Sequence, residues 1–197
     1  MGQGIAQWFL QQNIVVEIVD TQHEFALKAE AKIHSQLDAL IAKGKLKDND
    51  VQFFKKQLTV KKFEEISLNS DLVIEAIIED KETKKDLFLK LDQKMNDQTI
   101  IASNTSSFPI TELGTDLSAK RKERFLGLHF FNPATIMKLV EIISGMETGP
   151  LIAKNLFTWF NQRNKVACLC QDAPGFIVNR VARNFYGESL RAVETYD

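Results

Sequence analysis

Short runs of apolar and β-branched residues alternate along the chain with longer amphipathic stretches, and that alternation leaves room for little besides a mostly parallel sheet covered by helices. Strand-length runs fall at 14–19, 72–78, 99–102, 125–131, 139–143 and 165–169, with a further short one around Val60. Between them Ala26, Ile33, Leu37, Leu40 and Ile41 recur at helical spacing, as do Leu87, Phe88 and Leu91, then Ile152, Leu156, Trp159 and Phe160. Such stripes are the faces of helices that pack on a sheet. The prolines agree with this segmentation: Pro109 and Pro150 open helices, Pro133 bends a loop and Pro174 precedes the last helix.

The order of elements at the start is specific. Met1-Gly2-Gln3-Gly4-Ile5-Ala6-Gln7 begins a helix with no strand before it, and the run 14–19 then reads as a second strand ending in an acid, Asp20. That is the order of a Rossmann unit whose first strand is absent. In the complete fingerprint the last glycine lets helix and strand pack closely, and an acid about 20 residues on takes the ribose hydroxyls. Gly2 and Asp20 fit those two places. A carboxylate at that strand end repels a 2′-phosphate, and Thr21, Gln22 and His23 bring no guanidinium to neutralise one. The expected cofactor is therefore NAD rather than NADP.

Charge and composition exclude other classes. Lys and Arg total 25 against 26 Asp and Glu, so no net positive field holds a polyanion, and nucleic acid is not expected as a partner. No apolar run approaches the roughly 20 residues of a membrane span, and no secretory signal is visible, so the reading is cytoplasmic, without a membrane partner. The lysines at 43, 45 and 47, with Lys55, Lys56, Lys61 and Lys62, read as a solvated basic neighbourhood on the outer helices. The two cysteines, Cys168 and Cys170, share a strand and one face of it; with no further ligands nearby they read as buried apolar side chains, and no metal is expected.

The chemistry concentrates between Ile101 and Glu141. Ala102-Ser103-Asn104-Thr105-Ser106-Ser107 follows a strand and precedes Pro109, which puts a turn rich in hydroxyls and amides at a strand C-terminus, where open α/β sheets bind ligands; taken alone, it also fits an ordinary helix cap. Gly127-Leu128-His129-Phe130-Phe131-Asn132-Pro133 places at a strand end the only histidine outside the long helical region. After a short loop, Lys138-Leu139-Val140-Glu141-Ile142-Ile143 holds one acid inside an apolar strand, where a carboxylate needs a partner. An imidazole within reach supplies one. The carboxylate in turn fixes the tautomer that leaves the other ring nitrogen to take a substrate proton.

Together, Met-Gly-x-Gly-Ile-Ala-Gln at the start, Glu-Ala-Ile-x-Glu at 75–79, Ser-Asn-Thr-Ser-Ser, Gly-Leu-His-Phe-Phe-Asn-Pro, Met-Lys-Leu-Val-Glu-Ile and Asp-x-Pro-Gly-Phe-Ile-Val-Asn-Arg at 172–180 resemble the 3-hydroxyacyl-CoA dehydrogenases, including the bacterial 3-hydroxybutyryl-CoA enzymes. The resemblance covers the whole chain in order. It implies that His129 removes the hydroxyl proton while hydride leaves C3 of the substrate, and that Glu141 orients His129. It puts Ser106 and Asn179 at the substrate, Asn132 beside the nicotinamide, Glu79 and Lys84 at the cofactor, Asp20 on the ribose and, more loosely, Lys43 at the CoA phosphates. The fold it implies is a Rossmann-type doubly wound sheet with flanking helices, its first strand missing. Residues 1–171 would form the NAD-binding domain and 172–197 the start of a C-terminal helical domain for substrate and dimerisation. Truncation at both ends is thus an expectation, and with it weak NAD binding by the chain as it stands. An acyl-CoA substrate and a homodimer of the full-length protein are further expectations. The alternative is a relative that keeps the fold without catalysing, or one that acts on a different hydroxy acid.

Overall fold

The computed structural model describes residues 1–196; Asp197, the end of the expected helical segment, lies outside the described residues. The chain forms two compact units, one made of residues 1–68 and 131–137, the other of residues 69–130 and 138–197.

The first unit opens with helix α1 (Gly2–Leu10) and continues through β1 (Val16–Ile18), α2 (His23–Ala42), α3 (Asp48–Lys56) and β2 (Leu58–Val60), ending in a single 3₁₀ turn (Phe63–Glu65). Strands β1 and β2 pair in parallel, Glu17 opposite Thr59. The helical stripe read from the sequence supplies the core: Ile33 and Leu37 of α2 are buried with Ala6, Leu10, Val51, Phe54 and Leu58, and Leu40 and Ile41 pack against them. Glu17 ties the segment after β2 back to β1, accepting hydrogen bonds from the Ser67 backbone N–H (2.9 Å) and hydroxyl (2.5 Å) and an ion pair from Lys61 (2.6 Å).

The second unit contains β3 (Leu72–Glu75), α4 (Lys81–Lys94), β4 (Ile100–Ser103), the short helices α5 (Ile110–Leu113) and α6 (Ala119–Lys122), β5 (Phe125–Phe130), β6 (Leu139–Ser144), α7 (Pro150–Asn161), β7 (Val166–Gln171) and α8 (Val178–Tyr196). The strands form one sheet in the order β3-β4-β5-β6-β7. All neighbours run parallel except β5 and β6. The exception follows from chain length, because residues 131–138 are too few for the parallel crossover of about a dozen or more residues. Aromatic contacts lock helices to the sheet: Phe88 of α4 meets Phe125 edge-on at 4.8 Å, and Phe130 meets Phe160 of α7 at 5.7 Å. Strand β5 is buried along its whole length, as a central strand covered on both faces should be.

Each strand-length run of the sequence became a strand, with two clearly shortened: 14–19 keeps only Val16–Ile18 and 72–78 only Leu72–Glu75. The run 72–78 leaves the ladder at Glu75, where the Glu75 carboxylate takes the N–H of Ile77 (2.7 Å) and turns the backbone outward. Asp80 then caps α4 by accepting from the N–H of Thr83 at 2.9 Å. No helix among the described residues is long and apolar enough to cross a membrane.

Candidate active site

Pairing geometry brings the first two expected residues together. In the antiparallel register of β5 and β6, His129 lies directly opposite Glu141, so the two side chains rise from the same face. The His129 Nδ1 stands 2.6 Å from Glu141 Oε2, with the Glu141 side chain wholly buried and His129 only 7% exposed. The other carboxylate oxygen, Oε1, accepts the backbone N–H groups of Ile177 (3.0 Å) and Val178 (2.9 Å) at the start of α8. Burial alone would raise the Glu141 pKa, but the hydrogen bond from His129 and these two N–H groups outweigh it and hold the carboxyl below its ordinary range. The carboxylate is therefore ionised and receives the Nδ1 proton. In the neutral ring the basic lone pair then lies on Nε2, at the carboxyl end of β5.

A second cluster occupies the ends of β3 and β4. Glu75, buried at the last position of β3, accepts from Lys84 Nζ (2.6 Å) through Oε1 and from the Ser103 hydroxyl (2.6 Å) through Oε2. Lys84, also buried, reaches on to Glu79 at 3.2 Å. Glu79 Oε1 accepts the Thr105 hydroxyl (2.6 Å), the Ser106 N–H (2.9 Å) and the Ser107 hydroxyl (2.9 Å). Partial burial works against ionisation of Glu79; these three donors and the Lys84 charge overcome it and press the carboxyl down to about 2. Ser106 turns its carbonyl to the Asn179 side-chain amide at 3.2 Å. Ser106 and Asn179, expected at the substrate, thus meet directly, and Glu79 with Lys84 supports the turn that carries Ser106.

The remaining expected residues belong to the first unit. Gly2 is the first residue of α1 and exposed; Asp20 is exposed beyond β1, where its carboxylate accepts the N–H of Gln22 at 3.0 Å. Lys43 is exposed at the C-terminal end of α2. Asn132 precedes Pro133, through a cis peptide bond, in the 131–137 loop. A Cβ at Gly4 would meet that of Ala134 at 3.6 Å, ordinary contact, so the start of α1 packs on the same loop.

Sequence reasoning passed over several groups that build the site. Glu75 has the same signature as Glu141, one acid ending an apolar strand, and could have been singled out on that ground. Asn104 accepts the Phe130 N–H at 2.9 Å and so tethers the β4 turn to the end of β5. Asp172 accepts the N–H groups of Ile110 (2.7 Å) and Thr111 (2.8 Å), tying the segment before α8 to α5. The N–H groups of Ile177 and Val178 carry no side-chain signal at all. The thiols of Cys168 and Cys170 lie 3.7 Å apart on β7 and are reduced. Among the described residues no cluster of three His, Cys, Asp or Glu side chains could hold a metal ion.

The arrangement holds an oriented imidazole, an ionised buried partner and a polar turn at the carboxyl ends of parallel strands. Residues 1–173 match the family model described as "3-hydroxyacyl-CoA dehydrogenase, NAD binding domain". The chain is 39% identical over 98% of its length to the 3-hydroxyadipyl-CoA dehydrogenase of Escherichia coli, of which it spans 40%. It is 36% identical to a probable 3-hydroxybutyryl-CoA dehydrogenase of Deinococcus radiodurans, over 98% of this chain and 68% of that one. Its fold is similar, with a TM-score of 0.94 and 38% identity, to the crystal structure of 3-hydroxybutyryl-CoA dehydrogenase from Escherichia coli, covering 99% of this chain and 41% of the other.

Proposed function

Since the chain belongs to the 3-hydroxyacyl-CoA dehydrogenase family, we propose that it serves the reversible NAD-dependent oxidation of a 3-hydroxyacyl-CoA to the 3-ketoacyl-CoA, with His129, paired to Glu141, as general base. The observation that carries this reading is the 2.6 Å contact between His129 and the buried Glu141. NAD, when bound, accepts the hydride from C3. The residues here supply position and the proton: Nε2 of His129 takes the hydroxyl proton as hydride leaves, so that a neutral ketone forms instead of a protonated one. Glu141 compensates the imidazolium charge and keeps the ring in register. In reverse, the imidazolium returns the proton to the ketone oxygen.

Ser106 and Asn179, joined to each other at the end of β4 and the start of α8, fit the role of polar contacts to the substrate. Glu79 and Lys84 are the proposed pair at the cofactor, with Asn132 beside the nicotinamide, Gly2 as the fingerprint glycine that lets helix and strand pack closely, and Asp20 on the ribose. The residues suit NAD: Asp20 is an exposed carboxylate at a strand end, and the hydroxyl-rich turn at 103–107 sits at the carboxyl end of β4. Lys43 is proposed, more loosely, for the CoA phosphates. Residues 1–171 are the proposed NAD-binding domain and 172–197 the start of a helical domain through which the full-length protein forms a homodimer. Val181, Phe185 and Leu190 of α8 are each about two-thirds exposed, which suits a helix that others cover. The proposed location is the cytoplasm, and neither nucleic acid nor membrane is a proposed partner.

The test is oxidation of NADH by the full-length protein with acetoacetyl-CoA, run beside NADPH and beside free acetoacetate. Turnover with the thioester and a preference for NADH are expected. Equal rates with NADPH would refute the role of Asp20, and no turnover of any 3-ketoacyl-CoA would refute the activity.

A further inference from the structure

The start of α8 has an unusual backbone. Gly175 has φ +76° and Phe176 φ +48°, two successive residues in the left-handed region. Glycine is at home there; a Cβ at 175 would also come within 3.1 Å of the Arg180 N–H nitrogen. Phenylalanine is not, because its Cβ crowds the neighbouring carbonyl. Phe176 is nevertheless only 3% exposed, and its ring lies 5.9 Å from the His129 imidazole. The turn is closed by hydrogen bonds from the Phe176 N–H to the Ala173 carbonyl (2.9 Å) and from the Arg180 N–H to the Gly175 carbonyl (3.0 Å). The next two N–H groups, of Ile177 and Val178, both end on Glu141.

We infer that Phe176 is a positioning residue for the His129–Glu141 pair: burial of its ring beside the imidazole offsets the cost of a left-handed backbone, and that backbone aims two N–H groups at the carboxylate that orients His129. Strained non-glycine residues persist where their surroundings over-determine them, and they cluster at functional sites. Here the surroundings are the imidazole on one side and the helix start on the other. One residue thereby sets the ring's neighbour and the partner's charge together. The lowered pKa of Glu141 agrees with two N–H donors held in place. Besides His129 on β5, the titratable groups facing Glu141 are the thiols of Cys168 and Cys170 on β7, both pushed up by burial and therefore neutral across the acidic range.

The inference concerns how Glu141 is held, and it builds on the reading of His129 as base. Phe176→Ala and Phe176→Gly separate its two parts, because both remove the ring while only glycine keeps the left-handed turn without cost. The measurement is ¹³C NMR titration of the Glu141 carboxyl in the 197-residue chain, the resonance being assigned by its loss in Glu141→Gln. In Phe176→Gly the midpoint should stay within a few tenths of a unit of the native chain; in Phe176→Ala it should rise by about one unit, as a carboxylate does on losing backbone donors. In the full-length protein kcat should follow the same order, with Phe176→Ala about tenfold or more below Phe176→Gly and KM changing less. Simple loss of core packing gives the opposite order, since glycine leaves the larger cavity and the freer chain. An alanine variant too unstable to titrate beside a glycine variant that titrates normally would be the same order and would support the inference. Equal midpoints in the two variants, or a higher one in Phe176→Gly, would overturn it. The titration needs no turnover, so a protein inactive in every form would count against the dehydrogenase reading alone.

Discussion

Glu141 serves two neighbours at once, one oxygen on the imidazole and the other on the start of α8, and its removal should separate orientation from chemistry. His129→Gln removes the proposed proton acceptor, so turnover should fall by about 10² to 10⁴ while NADH binding, followed by calorimetry, stays near the native value. Glu141→Gln keeps the shape and loses the charge. It should lower kcat by a similar or smaller factor and move the pH profile, because the imidazolium is no longer compensated. Near-native turnover of His129→Gln would refute its assignment as base. Glu141 is legible in the sequence, since an acid within an apolar strand demands a partner and His129 is the available one. Glu75 carries the same signal, whereas its partner Lys84 is legible only as a matched motif position.

At the scale of elements, the site depends on how tightly α5 sits on the sheet. A Cβ on Gly127 of β5 would come within 2.8 Å of Ile110 Cδ1 and 3.0 Å of Ile143 Cδ1, so this strand glycine exists to admit the α5 side chain. Gly127→Ala should cost about 1 to 3 kcal/mol by overpacking, measured by urea unfolding. Adding Ile110→Val should recover part of that loss; strict additivity of the two changes would show that the contact does not set the packing. Strand periods and proline positions announce nearly every element involved. The antiparallel turn between β5 and β6 is what places Glu141 opposite His129, and its short connection is visible in the sequence while its register is not.

For the molecule as a whole, Glu79 and Lys165 both make stability rise with pH, in different ranges and for different reasons. Glu79 has a folded pKa pressed from 4.5 to about 2, so its contribution is complete above about 4.5 and is lost as pH falls toward 2. Lys165, nearly buried at the start of β7 and 5.6 Å from the centre of the Phe130 ring, is lowered by desolvation from 10.5 to about 8. Between those values the unfolded chain binds the extra proton, so Lys165 opposes folding below about 8 and ceases to do so as pH rises toward 10.5. The melting temperature of Lys165→Met relative to the native chain should therefore be higher at pH 7 than at pH 10, as the native chain alone gains from losing that proton. A difference that does not change with pH would mean that packing, rather than charge burial, sets the effect.

The sequence by itself determined the class of fold, the order of its elements and the residue types of its chemistry, because hydrophobic periodicity, proline placement and the cost of a lone buried charge act locally along the chain. It also determined the family, through motifs spread from Gly2 to Arg180. Only the tertiary structure decided the rest. It set the register that faces His129 with Glu141, the chain of contacts from Glu75 through Lys84 and Glu79 to Ser106, and the left-handed turn that sends two backbone N–H groups to a carboxylate thirty-six and thirty-seven residues earlier in the chain. Backbone amides are the same at every position, so nothing in a residue's identity announces where its N–H will point; packing alone assigns it.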